Sequence, residues 1–285
     1  MDIRPAVFAG SWYPARAEAC EQEIRAFLAG QPDAHLAGQS WVGGIVPHAG
    51  WYFSGGIACR VINLLKSRDP IDLVLIFGMH LHPGSANRMM PAGAWQTPFG
   101  PLEVAADLAE HLRGRFTFQL ETSRDFTQDN TIELQLPFIR RLLAPAKILA
   151  MGVPPTAAAM EIGKAAVDWC LAQGKKIRII GSTDLTHYGT NYGFSPRGRG
   201  PSALDWVRGR NDRDMVDAFE AMSPQRVLEE ALSNQNACCS GAAATAIAAA
   251  KQMGAVKART VAYATSHDKS PGDSFVGYAG VVFGH

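Results

Sequence analysis

Short apolar runs punctuate the chain, and they are continuous rather than alternating. Trp41–Val46, Leu73–Phe77, Lys147–Met151 and Lys176–Ile180 are each rich in Val, Ile or Leu. Runs of this kind predict strands whose two faces are both covered. Between them the period changes. Gly56–Lys66 places Ile57, Val61, Leu64 and Leu65 on one helical face. Ile132–Leu143 does the same with Leu134, Leu136, Ile139 and Leu143, although Pro137 should kink or delay that helix. Thr156–Ala172 is Ala-rich and amphipathic. Strand–helix alternation predicts crossover connections, and so an α/β fold with a mainly parallel central sheet and helices on both faces.

The last third of the chain has a different pattern. Asp212–Met222 and Ser223–Leu232 predict helices, the second with Ser223 as N-cap and Pro224 in its first turn. Gly241–Met253 is nearly pure alanine, which predicts a helix pressed closely against a neighbour. Arg259–Thr265 and Ser274–Phe283 predict two strands that close one side of the sheet. Gly189–Ser202 mixes Gly, Pro and Arg and predicts a long surface loop or flap. No repeat and no break in composition divides the chain, so residues 1–285 read as a single domain.

Composition then narrows the class. Hydrophobic residues at 47% and charged residues at 19% supply a sizeable core and argue against disorder. Lys and Arg total 27 against 26 Asp and Glu, a net charge of +1, which argues against a general grip on nucleic acid or anionic lipid. The opening MDIRPAVFAGSWYP has no basic segment followed by an apolar core, and no run approaches the roughly 18 apolar residues of a membrane span. The five cysteines are odd in number and include no CxxC pair, which fits a reducing, cytoplasmic setting. P-loop, GxGxxG and GxSxG motifs are all missing, which disfavours nucleotide hydrolysis, Rossmann cofactor binding and α/β-hydrolase chemistry.

Histidine placement carries the chemistry. In an open α/β sheet, ligands bind at the carboxyl ends of the strands. His48 follows the first run, His80 and His82 follow the second, and His187 follows the fourth. Three strands thus deliver imidazoles to one edge of the sheet. His267 sits just after Arg259–Thr265, and its side depends on that strand's direction. Imidazole is a common ligand for iron, zinc and copper, and two His plus one anionic ligand is a pattern of non-haem iron sites. The anion could be Asp184, Glu133, Cys238 or Cys239. The two cysteines precede the Ala-rich helix, where backbone N–H groups stabilise a thiolate. Trp51, Tyr52 and Tyr188 lie beside these candidates and could wall a pocket for a planar substrate.

Several long motifs resemble one family. They are RPAVFAGSWYP near the N-terminus, GIVPHAGWYFSGGIA at Gly44–Ala58, TPFGPLEV at Thr97–Val104, IELQLPF at Ile132–Phe138, GSTDLTHY at Gly181–Tyr188 and GDSFVGYAGVVF at Gly272–Phe283. The chain resembles the Memo family, whose bacterial and archaeal members are called AmmeMemoRadiSam system protein B. The resemblance implies a fold like that of the class III extradiol dioxygenases and a metal-type site of two His and one Cys. Carried over by motif, the metal ligands are His48, His80 and Cys238, with Cys239 as the alternate. His187 becomes the acid/base, oriented by Asp184, and Glu133 tunes a ligand or binds substrate. Iron(II) is the metal such a site implies, although a thiolate ligand softens it toward copper or zinc. The implied activity is oxidation of a small aromatic substrate. The other reading is a metal-holding or peptide-binding module without turnover. The family name further implies a radical-SAM partner, for which the Arg-rich loop Arg197–Arg210 offers a docking surface.

Three departures from the family pattern stand out. Gly-Pro-Ser-His-His becomes Phe77-Gly78-Met79-His80-Leu81-His82, so the second His is no longer adjacent. His-Ser-x-Glu becomes Asn130-Thr131-Ile132-Glu133, and Asn130 can hydrogen-bond but cannot carry a proton. Cys-Gly becomes Cys238-Cys239. The expected pocket therefore includes His82, Asn130 and Cys239 beside the aromatic residues.

Overall fold

The four continuous apolar runs become the four central strands of the computed structural model, which describes residues 2–30 and 33–285. In chain order the first six strands are β1 (Ile3–Arg4), β2 (Trp41–Val46), β3 (Leu73–Gly78), β4 (Asn87–Met89), β5 (Ala94–Trp95) and β6 (Leu102–Glu103). The next six are β7 (Phe118–Leu120), β8 (Lys147–Gly152), β9 (Ile177–Ser182), β10 (His187–Tyr188), β11 (Lys257–Thr265) and β12 (Phe275–Gly284). Strands β1, β5 and β6 form a small separate sheet. The large sheet runs β10-β12-β2-β9-β3-β8-β4-β7, with β11 also paired to β12.

Strands β2, β9, β3 and β8 are mutually parallel, as the alternating pattern requires. The outer strands make the sheet mixed. Strand β12 is antiparallel to β2, β10 and β11, and β4 is antiparallel to β8. This has a consequence for the site. The carboxyl ends of β2, β3 and β9 share one edge with the amino-terminal end of β12. Strand β11, antiparallel to β12, also ends there, which places His267 on that edge.

Helices α1 (Ala17–Phe27), α2 (Gly56–Leu64), α3 (Ala106–Arg113), α4 (Asn130–Glu133) and α5 (Leu136–Phe138) occupy the first half. Helices α6 (Ala157–Ala172), α7 (Pro201–Trp206), α8 (Asp212–Glu220), α9 (Pro224–Asn234) and α10 (Ser240–Gln252) follow. The predicted helix over Ile132–Leu143 is broken into α4, α5 and a π-helical turn at Ile139–Leu143, because Pro137 has no N–H to continue a regular ladder. Helix α6 begins where Thr156 accepts a hydrogen bond from the Ala159 N–H. No helix among the described residues is long and apolar enough to cross a membrane.

The Ala-rich α10 is buried from Ser240 to Ala250 and packs against α6, β9 and β3. Small residues allow this closeness. A Cβ at Gly163 of α6 would stand 2.8 Å from the Thr245 methyl and 3.0 Å from its carbonyl oxygen. Helix α2 lies against β2, β11 and β12. The segment Arg197–Arg210, expected as a loop, is one only as far as Gly200. Its second half is helical, running from α7 through a π-helical turn at Val207–Asn211 into α8. There Arg208 bonds Thr265 and Asp268, and Arg210 pairs with Asp214, so these guanidinium groups are already partnered.

Candidate metal centre

The carboxyl ends of β2 and β9 converge first. His48 is buried just beyond β2, and four contacts hold it. Its backbone N–H donates to Asp184 Oδ1 at 2.7 Å, and its carbonyl oxygen accepts from Asn130 Nδ2 at 2.9 Å. Its Nδ1 lies 3.0 Å from Ser182 Oγ, and its Nε2 lies 3.3 Å from Cys238 Sγ. With Nδ1 engaged by Ser182, Nε2 is the nitrogen left to bind a metal, since a hydrogen bond on one ring nitrogen fixes which nitrogen the other side presents.

Strand β3 supplies His80. The residue before it, Met79, has φ of 70°, a left-handed conformation that a side chain other than Gly adopts at a cost. Its N–H donates to Thr131 Oγ1 at 2.7 Å, and this bond fixes the bend that turns His80 toward His48. The two imidazole rings meet edge to face, 5.0 Å between centroids. Asp129 Oδ2 lies 3.9 Å from His80 Nδ1.

Sulfur arrives from a remote part of the chain. Cys239 is the N-cap residue of α10, and its N–H donates to Thr183 Oγ1 at 3.0 Å. The Cys238 N–H donates to the Asp184 carbonyl at 3.2 Å. These two bonds tie the start of α10 to the end of β9, so Cys238 Sγ faces His48. The two sulfurs are 3.8 Å apart. One ligand atom from each of His48, His80, Cys238 and Cys239 fits within 4.8 Å of all the others, a group that could hold a metal ion. Nitrogen and thiolate ligands of a tetrahedral ion stand about 2.0 and 2.3 Å from it, and so about 3.5 Å from each other. The 3.3 Å between His48 and Cys238 suits that arrangement.

Charge is distributed to match. Burial opposes a thiolate at Cys238, but the Cys239 thiol and the imidazoles of His48 and His187 hold its pKa well below the ordinary range. Cys239 moves the opposite way, through burial and the neighbouring sulfur. Burial also opposes an imidazolium at His48, yet Asp184 and Cys238 raise it to about 9. Burial raises Asp184, although His48 pulls it back. His187 is raised against its own burial by Cys238 and Asp184.

Above this group opens a cavity of about 610 Å³. His48, His80, Asn130, Asp184 and His187 line one part of it. Aromatic rings of Trp12, Tyr52, Phe53, Tyr192 and Tyr278 line the rest, with Ser11, Ser266, Ser270 and Ser274 among them. His187 Nε2 is shielded from solvent and has no hydrogen-bond partner, and Tyr192 packs against its ring at 5.0 Å.

The family model described as Memo-like protein matches residues 4–282. The chain belongs to the Memo family. A MEMO1 family protein of Pyrococcus furiosus is 31% identical over 299 residues, covering 98% of each chain. Those of Methanopyrus kandleri and Thermococcus kodakarensis are 30% and 31% identical, each over 99% of both chains. The crystal structure of an uncharacterized protein from Escherichia coli K12 shares the fold, with a TM-score of 0.50 at 13% identity over 86% of this chain and 100% of that one.

Within this Memo-family fold, His48, His80, Cys238 and Cys239 come together, and Tyr52, Asn130, Asp184 and His187 border the same space. Other expected residues do not. Glu133 is directed elsewhere: its carboxylate accepts from the N–H groups of Val7 and Phe8 and from the Tyr13 hydroxyl, and so anchors the N-terminal segment. Trp51 is a core residue, stacked on Phe138 at 4.0 Å with its indole N–H on the Leu134 carbonyl. Tyr188 is fully buried against Phe275, and its hydroxyl donates to the Gly198 carbonyl. His82 is exposed, and His267 faces Phe275; neither lines the cavity. Asp184 does not orient His187 by a hydrogen bond, since 4.0 Å separates Oδ2 from Nε2; its other oxygen is committed to His48.

Sequence reasoning missed Trp12, Ser182, Tyr192 and the wall from Ser266 to Tyr278. Ser182 was findable, as it ends β9 two residues before Asp184. The wall was not, because it comes from the amino-terminal end of an antiparallel strand, where a search of strand carboxyl ends does not look.

Proposed function

We propose that this protein binds a transition metal, iron(II) above all, through His48, His80 and Cys238, and oxidises a small aromatic substrate held in the cavity above them. The observation that carries this reading is the meeting of three ligand residues, from β2, β3 and the start of α10, with both histidines also lining an aromatic-walled cavity. The donor set fits: two imidazoles and a thiolate suit iron, copper and zinc and suit magnesium or calcium poorly. A bound iron would supply Lewis acidity and one-electron chemistry with oxygen.

The remaining roles belong to the chain itself. Ser182 fixes the tautomer of His48 and so the nitrogen it presents. Asn130 and Asp184 hold the His48 backbone from two sides. His187 lines the cavity and would take a proton from a substrate hydroxyl and return it. Tyr52, Phe53 and Tyr192 would flank a planar ring and keep bulk water from it.

A second reading rests on the paired sulfurs. Two cysteines 3.8 Å apart favour a softer ion such as copper(I) or zinc, held without turnover. One experiment separates the two. Protein prepared without oxygen is loaded with iron(II), then given a panel of catechols and oxygen. A yellow ring-opened product supports the oxidising reading. Retained metal with no product from any catechol rejects it in favour of the metal-holding module.

A further inference from the structure

We propose that Asp129 is a positioning residue for His80: its carboxylate holds the imidazole by Nδ1 and so presents Nε2 to the metal. This rests on the reading that His80 is a metal ligand.

The two imidazoles of the site are anchored unequally. His48 is buried, and Ser182 engages its Nδ1 at 3.0 Å. The His80 side chain is 46% exposed. Among the described residues no hydrogen bond holds its ring, and the one carboxylate within 4 Å is Asp129, 3.9 Å from Nδ1. That gap is about 1 Å longer than a hydrogen bond, and the ring breaks no other bond in closing it.

Asp129 is the fixed member of the pair. Its side chain is 5% exposed. As N-cap of α4 it accepts the Ile132 N–H on Oδ1 at 3.2 Å, and the same oxygen accepts from Thr131 Oγ1 at 2.5 Å. Oδ2 takes no hydrogen bond among the described residues, and His80 is the one basic side chain within 4 Å of the carboxylate. Burying a carboxylate costs free energy unless it is paired and hydrogen-bonded. An imidazole that gives Nε2 to a metal carries its proton on Nδ1, and that proton is the donor this oxygen lacks. The same side chain also acts on the backbone. Thr131 Oγ1, which donates to Asp129, accepts the N–H of Met79, the left-handed residue before His80. Asp129 therefore braces both the ring and the bend that aims it.

Asp129→Asn separates positioning from capping. Asparagine is an equally good N-cap. The Ile132 and Thr131 donors hold its oxygen, which leaves an NH2 group facing Nδ1, and that group cannot accept the ring proton. Asp129→Ser is a second variant that caps the helix and has no second oxygen. Zinc(II) and cobalt(II) affinities of the metal-free proteins are measured by competition with a chromophoric chelator. Both variants are expected to bind each ion about tenfold or more weakly at an unchanged melting temperature. Proton spectra of the cobalt-loaded proteins in water supply a readout that capping alone would not move. The parent should show two shifted, slowly exchanging imidazole N–H resonances, for His48 and His80, and each variant only one. Parental affinity in both variants, or an unchanged pair of resonances, would mean that Asp129 only caps α4, which overturns the proposal while leaving the metal site in place. If the parent binds neither ion, the metal reading itself falls, and the proposal with it.

Discussion

His48 Nε2 lies 3.3 Å from Cys238 Sγ, although 190 positions separate the two residues along the chain. Thr183 closes that distance: its hydroxyl accepts the Cys239 N–H and ties the start of α10 to the end of β9. If this contact marks a metal site, each partner should be indispensable. His48→Ala and Cys238→Ala are expected to lower the metal content of anaerobically purified protein by about tenfold or more, while Cys239→Ala keeps most of it. Elemental analysis after dialysis decides this. Full metal in both of the first two variants would remove the site as drawn.

Glu133 should behave as a structural residue. Glu133→Ala strands the N–H groups of Val7 and Phe8 and the buried Tyr13 hydroxyl. A loss of roughly 3 kcal/mol in unfolding free energy is expected, with metal content unchanged. Hydrogen exchange should report faster opening near residues 7–13. Loss of metal at preserved stability would return Glu133 to the site.

Asp212 gives a pH dependence whose sign can be fixed. It is buried beneath the Asp184–His187 loop, and its carboxylate accepts from Thr186 N, Thr186 Oγ1 and the Tyr263 hydroxyl. Burial outweighs these bonds and pushes its pKa up to about 6 from 3.8. The folded state therefore holds this proton more tightly than the unfolded chain does. The resulting stabilisation is complete below pH 3.8 and is lost as the pH rises through about 6. The difference amounts to about 3 kcal/mol. Asp212→Asn removes this titration, so the variant should gain stability relative to the parent between pH 4 and 7. Denaturant melts across that range test it, and parallel pH curves for the two proteins would contradict it.

Gly241 brings the start of α10 hard against the Val153–Pro154 backbone. A Cβ there would stand 2.4 to 2.5 Å from the backbone of Val153 and Pro154. Backbone cannot step aside as a flexible side chain can. Gly241→Ala is expected to cost about 1–3 kcal/mol or more. Because Cys238 rides on the same helix start, metal affinity should fall as well. A stable variant with full affinity would mean that α10 can shift freely.

The layered α/β fold was legible because its signals are local. Continuous runs such as Leu73–Phe77 and one-sided helices such as Gly56–Lys66 depend only on neighbours in sequence. Pro137 announced a break, but not that the segment would divide into α4, α5 and a π-helical turn. His48, His80 and the two cysteines were also readable, through strand ends and the family motifs. Trp51 and Tyr188 misled because an aromatic ring beside a site residue can face either way, and only packing against Phe138 and Phe275 turned them inward.

By itself, then, the sequence determined the family, the parallel centre of the sheet and the chemical kinds of ligand available, since each is written in nearby residues. Tertiary structure decided which groups share one space. Glu133 went to the N-terminal segment, Ser182 went to His48, and the antiparallel course of β12 brought a neutral serine wall to the edge where the histidines stand. Such choices follow from strand direction and long-range hydrogen bonds, which no local pattern encodes.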